Sequence, residues 1–235
     1  MNVTALAEVL DSAKCVFFDF DGPLCRLFAA YPATEVAGQL RRELDSRAPG
    51  LLRTSPHDPG DPHSLLTAAR RELPGDGIVR TVERLLTEAE KKAAETAAPT
   101  PYAHDVVTEL HLLGRTLAVT SNNAAAAIEV HLETQGLGGY FSPHVHGRRP
   151  DASGLKPDPD CLLRALESTG AAPGQCVMIG DSPSDWKAAH LAGVGFIGYA
   201  RAPHKAHALE TAGAPLTVGS MGAILHALRG TTAPH

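Results

Sequence analysis

No apolar run in this 235-residue sequence approaches the roughly 18 residues that a bilayer-spanning helix needs, so no membrane partner is expected. No block of Lys and Arg interrupts a net charge of −5, which argues against a nucleic-acid binder built on phosphate neutralisation. No basic leader precedes Glu8 and Asp11, so no secretory signal is expected. No Cys-x-x-Cys pair occurs among Cys15, Cys25, Cys161 and Cys176, which argues against zinc. Cys15 and Cys176 fall in apolar strand-like runs, where a thiol packs as a small hydrophobe. All four are read as reduced, which predicts a cytoplasmic protein. Cys25 is read as inert too, because a reactive thiol needs an electropositive, exposed setting. There is no internal repeat, and no low-complexity tract beyond the tail GTTAPH, expected to be mobile.

What is present fits a soluble globular chain, with 43% hydrophobic and 20% charged residues. Short apolar runs alternate with helical patterns. The strand candidates are KCVFFDF (14–20), RTLAVTS (115–121), a weaker one from Tyr140 to His146, QCVMIGD (175–181), GVGFIGY (193–199) and PLTVG (215–219). Runs apolar on both faces suit a parallel sheet covered by helices on each side. Between them, Val106, Leu110 and Leu113 make a stripe ending at Gly114. Asn123 is expected to cap a helix carrying Ile128 and Leu132 and stopped by Gly136. Asp158-Pro159 reads as N-cap and first-turn proline of a helix ended by Gly170. The repeat predicts right-handed crossovers and an α/β fold, a doubly wound parallel sheet.

The strand pattern disappears between residues 27 and 97. Three helical stripes replace it: Val36, Leu40 and Leu44; then Leu65, Leu66, Ala69 and Leu73, started by Asp61-Pro62; then Ile78, Val82, Leu85, Leu86 and Ala89. A turn-rich loop (47–63) separates the first two. This predicts a core domain of residues 1–26 and 98–235 with a small helical cap, 27–97, inserted after the first strand.

The first strand ends in an unexpected way for a buried element: CVFFDFDGPL places Asp19 and Asp21 at its mouth. Buried carboxylates are costly unless paired. Residues two apart on a strand point the same way, with Cα atoms about 6–7 Å apart, which leaves room for a small reacting group. In an open parallel sheet, ligands bind at the carboxyl ends of the strands. There the second apolar strand supplies Ser121-Asn122-Asn123, a hydroxyl beside backbone N–H groups. The loop GLKPDPD supplies Lys156, and GDSPSD supplies Asp181 and Asp185. Four carboxylates against one ammonium invite a hard divalent cation such as Mg²⁺, which often shares itself with a substrate phosphate. These groups suit phosphoryl transfer, where positioning and charge neutralisation dominate.

The motifs DFDGPL (19–24), VTSN (119–122), the lysine of LKPDPD (155–160) and GDSPSD (180–185) occur in this order across the chain. In them the sequence resembles the haloacid dehalogenase-like hydrolase superfamily, in its phosphatase branch and of the phosphoglycolate phosphatase-like kind. The insertion after the first motif matches the position of that branch's helical cap. The resemblance implies Asp19 as nucleophile forming an aspartyl-phosphate, and Asp21 as general acid and base whose backbone carbonyl also binds the metal. It implies Ser121 and the Asn122 N–H as phosphate ligands, and Lys156 as the bridge between Asp19 and phosphate. Asp181 would ligate Mg²⁺, and Asp185 would support the metal's waters or Lys156. The superfamily's dehalogenases lack the acid/base aspartate present here as Asp21, so phosphate ester chemistry is favoured. The implied function is Mg²⁺-dependent hydrolysis of a small phosphorylated metabolite. A phosphomutase using the same aspartyl-phosphate, and a silent metabolite-binding module, remain alternatives.

Pro23, where Val or Thr is frequent, is expected to stiffen its turn, and Trp186 to pack under the metal loop. Arg26, placed at the cap hinge where it could reach a substrate, and Arg148 and Arg149, which could flank the site, are read as solvated in preference to those roles. His144 and His146, two apart on a weak strand, lack a third ligand and are not read as a metal site. The sequence names neither the substrate nor the oligomeric state.

Overall fold

The strand at Cys15–Phe18 is buried along its whole length, and its side chains alternate between two apolar layers. Val16 and Phe18 enter one cluster, Cys15 and Phe17 the other. This two-residue period forces helices onto both faces of the sheet. A computed structural model, describing residues 3–231, provides them. The elements run α1 (Val3–Ser12), β1 (Cys15–Phe18), β2 (Cys25–Arg26), α2 (Ala33–Arg47), α3 (Leu51–Thr54), α4 (Pro62–Glu72), α5 (Gly77–Ala94) and β3 (Ala98–Pro99). Then follow α6 (Ala103–Leu112), β4 (Thr116–Ala124), α7 (Ala125–Thr134), α8 (Gly138–Phe141), β5 (Val145–Arg148) and α9 (Asp160–Thr169). The chain continues through β6 (Cys176–Gly180), α10 (Pro183–Ala192), β7 (Gly195–Tyr199), α11 (Pro203–Thr211), β8 (Thr217–Val218) and α12 (Met221–Thr231).

Six strands form one parallel sheet in the order β5-β4-β1-β6-β7-β8. The chain therefore winds outward from β1 in both directions, and the order reverses at the centre, where α/β sheets bind ligands. One face carries Leu6, Leu10, Val106, Leu110, Ile128, Leu132, Ile224 and Leu228 from α1, α6, α7 and α12. The other carries Leu162, Ala165, Ala188, Ala189 and Leu209 from α9, α10 and α11. The expected doubly wound α/β architecture is what the chain adopts.

Helices α2 to α5 bury a third cluster of their own, including Val36, Leu40, Leu44, Leu65, Leu66, Val82 and Leu86. Asp61 caps α4 by accepting from His63 N at 2.9 Å, and Pro62 fills the first turn. The last turn of α5 leaves this cluster, and Ala93 and Ala94 pack with the sheet-side layer instead. The insertion joins the sheet through the antiparallel ribbon of β2 and β3, in which Cys25 pairs with Pro99 and Arg26 with Ala98.

Some local expectations are corrected. The weak strand at 140–146 starts later: Gly138–Phe141 is helical and the strand is Val145–Arg148. Asn123 is no helix cap, because β4 runs on through Ala124 and the Asn123 side chain bonds elsewhere. Helix α9 begins at Asp160 rather than at Asp158-Pro159. The loop 47–63 contains the short helix α3. No helix among the described residues is long and apolar enough to cross a membrane. Residues 232–235, most of the GTTAPH tail, lie outside the described residues.

Candidate active site

Three strand ends meet where the sheet order reverses. Asp19 follows β1, and its backbone N–H donates to Ile179 O at 2.9 Å, so the first aspartate is fixed to the neighbouring strand. A tight turn follows, with Gly22 N–H donating to Cys25 O at 2.7 Å and Gly22 at φ +125°. A side chain there would be strained, and its Cβ would fall on the Asp181 carboxylate. Thr100 Oγ1 donates to Gly22 O at 2.6 Å, fastening the turn to the far end of the insertion.

Lys156 is the centre of the charge arrangement. Its Nζ lies 2.8 Å from Asp19 Oδ1 and 2.5 Å from Asp185 Oδ1, and it donates to Thr120 O at 3.0 Å. All three ionic groups are buried. Burial alone would lower the lysine's pKa, but Asp185 and Asp19 outweigh it and raise it, so the ammonium stays charged. The side-chain amide of Asn122 brackets the Lys156 peptide: Oδ1 accepts from Lys156 N at 2.7 Å and Nδ2 donates to Lys156 O at 3.4 Å. Ser121 Oγ donates to Asn123 Oδ1 at 3.1 Å and accepts from Asn123 N at 3.3 Å.

Asp185 sits in a capping box at the start of α10. Its Oδ2 accepts from Asp181 N and Ser182 N, both at 3.0 Å, and from Ser182 Oγ at 2.7 Å. It therefore shapes the Asp181 backbone with one oxygen and holds Lys156 with the other. Lys205, on α11, pairs with Asp181 Oδ2.

One carboxylate oxygen each from Asp19, Asp181 and Asp185 lies within 4.8 Å of the others, and all three residues are buried. Burial raises the Asp19 carboxyl to about 6, with Lys156 opposing and Asp185 adding to the shift. Burial likewise raises Asp181 to about 7, against Lys205 and with Asp19 and Asp185. Two ammonium groups thus fail to neutralise the cluster. A hard, oxygen-seeking divalent cation fits that donor set. The Asp21 side chain stays outside the triplet: its Oδ1 accepts from Leu27 N at 3.0 Å, and burial raises its pKa.

A cavity of about 200 Å³ opens over these groups, lined by Asp19, Asp21, Ser121, Asn122, Lys156 and Asp185 together with Asp61 and His63. The last two come from the start of α4 and were not anticipated in the sequence. Behind His63 lies a buried polar network. Glu90, on α5 and fully buried, has its Oε1 2.9 Å from His63 Nε2. It accepts from Asn123 Nδ2 at 3.0 Å and from Ala124 N at 2.9 Å.

Arg148 corrects a sequence expectation. It is buried rather than solvated, with Nη1 donating to Asn122 O at 2.8 Å, Nη2 to Thr87 Oγ1 at 3.0 Å and Nε to Glu83 at 3.2 Å. Its guanidinium and His63 hold the Glu90 carboxyl down at about 2, although burial alone would raise it. Arg149 is half exposed and pairs with Asp160 at 2.7 Å, and Arg26 is exposed. His144 Nδ1 and His146 Nε2 both lie within hydrogen-bond distance of Ser168 Oγ. Trp186 packs against His190 and Phe196 on α10 and β7, and its Nε1–H donates to Ala212 O at 2.9 Å. Burial, with Asp21 and Asp19 nearby, pushes the Cys25 thiol well up, which keeps it protonated and inert.

A family model described as haloacid dehalogenase-like hydrolase matches residues 13–193. The phosphoglycolate phosphatase of Escherichia coli (strain K12) is 28% identical over 158 residues, 67% of this chain. The match spans 62% of that relative's length. Among solved structures, CbbY from Rhodobacter sphaeroides in complex with phosphate superposes with a TM-score of 0.66 at 21% identity, over 92% of this chain and 99% of that one. A mutant of CbbY with xylulose-(1,5)bisphosphate gives 0.64 at 21% identity, over 88% of this chain and 94% of that one. At such identities the likeness to the solved structures speaks for the fold alone.

Proposed function

The chain belongs to the haloacid dehalogenase-like hydrolase family, and from that premise we propose that it is a Mg²⁺-dependent phosphatase of a small phosphorylated metabolite. The observation that carries the reading is Lys156 Nζ, held 2.8 Å from Asp19 Oδ1 at the floor of a cavity that Asp21 also lines. The ammonium stands where an anionic phosphate would need it, beside a carboxylate able to attack phosphorus. The relatives' names support the substrate class: one acts on phosphoglycolate, and one structure holds xylulose-(1,5)bisphosphate.

In this reading an Asp19 oxygen attacks phosphorus while the bond to the leaving oxygen breaks. The Asp21 carboxyl, kept protonated to higher pH by burial, gives that oxygen its proton. Water then attacks phosphorus, Asp21 takes the water's proton, and phosphate leaves with Asp19 restored. Lys156, Ser121 and the Asn122 N–H hold the phosphate oxygens in this reading. Asp19, Asp181 and the Asp21 carbonyl, supported by Asp185, would hold Mg²⁺. When bound it supplies charge neutralisation on the phosphate. Helices α2 to α5 act as a cap, and its Asp61 and His63 close the cavity and exclude water. The four unpaired cysteines support action in the cytoplasm.

The test is phosphate release from a panel of phosphorylated metabolites, with Mg²⁺ and with EDTA, for wild type and Asp19→Asn. Metal-dependent release that Asp19→Asn abolishes is expected. Isomerised product without phosphate would make the protein a mutase, and binding without product a silent module.

A further inference from the structure

A second cavity, of about 330 Å³, lies on the other side of Asp21, lined by Asp21, Arg26, Phe28, Ala29, Ala33 and Arg201. Asp21 is thus the wall shared by two spaces. One holds the phosphate-binding groups Lys156 and Ser121. The other holds two guanidinium groups, neither with a hydrogen-bond or ion-pair partner among the described residues. The contrast with Arg148 and Arg149, both paired with carboxylates, is sharp.

The position follows from the chemistry. A general acid must sit within hydrogen-bond reach of the oxygen it protonates. In an in-line displacement that oxygen leaves on the side of phosphorus away from the nucleophile. With Asp19 behind the phosphate and Asp21 at the shared wall, the leaving group lies toward the second cavity. There it meets Phe28, Ala29 and Ala33 as apolar walls and two unpaired arginines as its charged end.

We propose that this cavity is an anion subsite, and that the substrate is a phosphate monoester whose leaving group carries its own acidic group. Carboxylate and phosphate share the chemistry that two guanidinium groups recognise. The subsite specifies the substrate class of the phosphatase reading and rests on it. Arg26 stands on the ribbon that carries the insertion, and Arg201 follows β7 of the sheet. An anion between them would therefore be gripped by both parts of the molecule. Lys205 adds to the same field: it and Arg201 both act to lower the Asp21 carboxyl, against the larger effect of burial.

The test uses non-cleavable phosphonates, so it does not depend on turnover. Calorimetry with Mg²⁺ compares phosphonopropionate, ethylenebisphosphonate and propylphosphonate on the wild-type chain. At least one of the two doubly acidic probes is expected to bind about tenfold tighter than propylphosphonate, and which one identifies the acidic group. In R26M/R201M that ratio is expected to fall to about one. Both side chains are exposed, so the variant should fold, and a melting curve checks it. Equal affinity for all three probes, binding of none, or a preference that survives in R26M/R201M would overturn the subsite. Absence of phosphate release from every metabolite would instead overturn the phosphatase reading, and the affinity ratio would still decide the subsite.

Discussion

Arg148 meets Glu90 through two parallel hydrogen bonds, Nη1 to Oε1 and Nη2 to Oε2, both at 3.0 Å. One partner ends the strand β5 and the other lies on an insertion helix. Both side chains are fully buried. The pair therefore joins the helical insertion to the edge strand β5, which lies beside the strand β4 that carries Ser121 to Asn123. Such bidentate pairs add direction as well as energy, which suits a joint that must fix two bodies in one register.

Breaking that pair from one side leaves an uncompensated buried charge. Arg148→Met is expected to destabilise the protein by about 3–5 kcal/mol. It also leaves the Asn122 carbonyl without its donor. Chemical denaturation reads the loss, and the double variant Arg148→Met with Glu90→Leu should recover much of it.

Glu90 also sets a limit on acid stability. Its folded pKa is about 2 against an ordinary 4.5. A lowered carboxylate contributes stability that is complete above 4.5 and is lost as pH falls toward 2, on the order of 3 kcal/mol. Asp19 and Asp181 act with the opposite sign, at about 6 and about 7 against 3.8. Raised carboxyls favour the folded state least when ionised, so metal-free stability should fall as pH rises from about 4 to 7. The melting temperature without metal is expected to peak near pH 4 and to decline from there toward neutral pH. Mg²⁺ should raise it more at pH 7.5 than at pH 5, and a metal response independent of pH would count against the acidic site.

Asp19→Asn separates chemistry from folding. Burial disfavours the Asp19 charge, so an amide of the same shape should leave the melting temperature without metal equal or higher. Phosphate release should disappear, because an amide oxygen does not form the acyl-phosphate. Release at the wild-type rate would remove Asp19 as nucleophile.

Gly22→Ala tests the turn after the two aspartates. At φ +125° the added methyl group is strained, and it would displace the Asp181 carboxylate. A loss of about 10–100-fold in Mg²⁺ affinity is expected, as for other disturbances of a metal's surroundings. Titration of activity against Mg²⁺ measures it.

Much of this was legible before any coordinates. β1 and β6 announced themselves because both faces are apolar, and the aspartates at their ends were conspicuous for the same reason. The stripes of α2, α4 and α5 follow helical spacing, and Asp61-Pro62 marked a true start. The terminal helices α1 and α12 went unread, although Met221, Ile224, Leu225 and Leu228 have the spacing of one helix face. Glu90 left a similar trace: it lies on the buried side of α5 with Val82, Leu86 and Ala93, an acid where the stripe wants an aliphatic. Arg148 looked solvated because its partner lies 58 residues earlier. Lys205, Arg201 and His63 gave no signal, since only the folded path brings those three elements to the strand ends.

The N–H of Asp19, the proposed nucleophile, is a rung of the sheet ladder, bonded to Ile179 of the adjoining strand. Parallel strands lie about 4.8 Å apart wherever they pair. The spacing between the backbones that lead into Asp19 and Asp181 is therefore inherited from the peptide unit itself. The sheet serves as a ruler with one graduation. Drift in the insertion, its loop or the arginines around Asp21 can retarget the chain to a new ester while that ruler holds the reacting atoms in place. Chemistry and choice of substrate are thus free to diverge at different speeds.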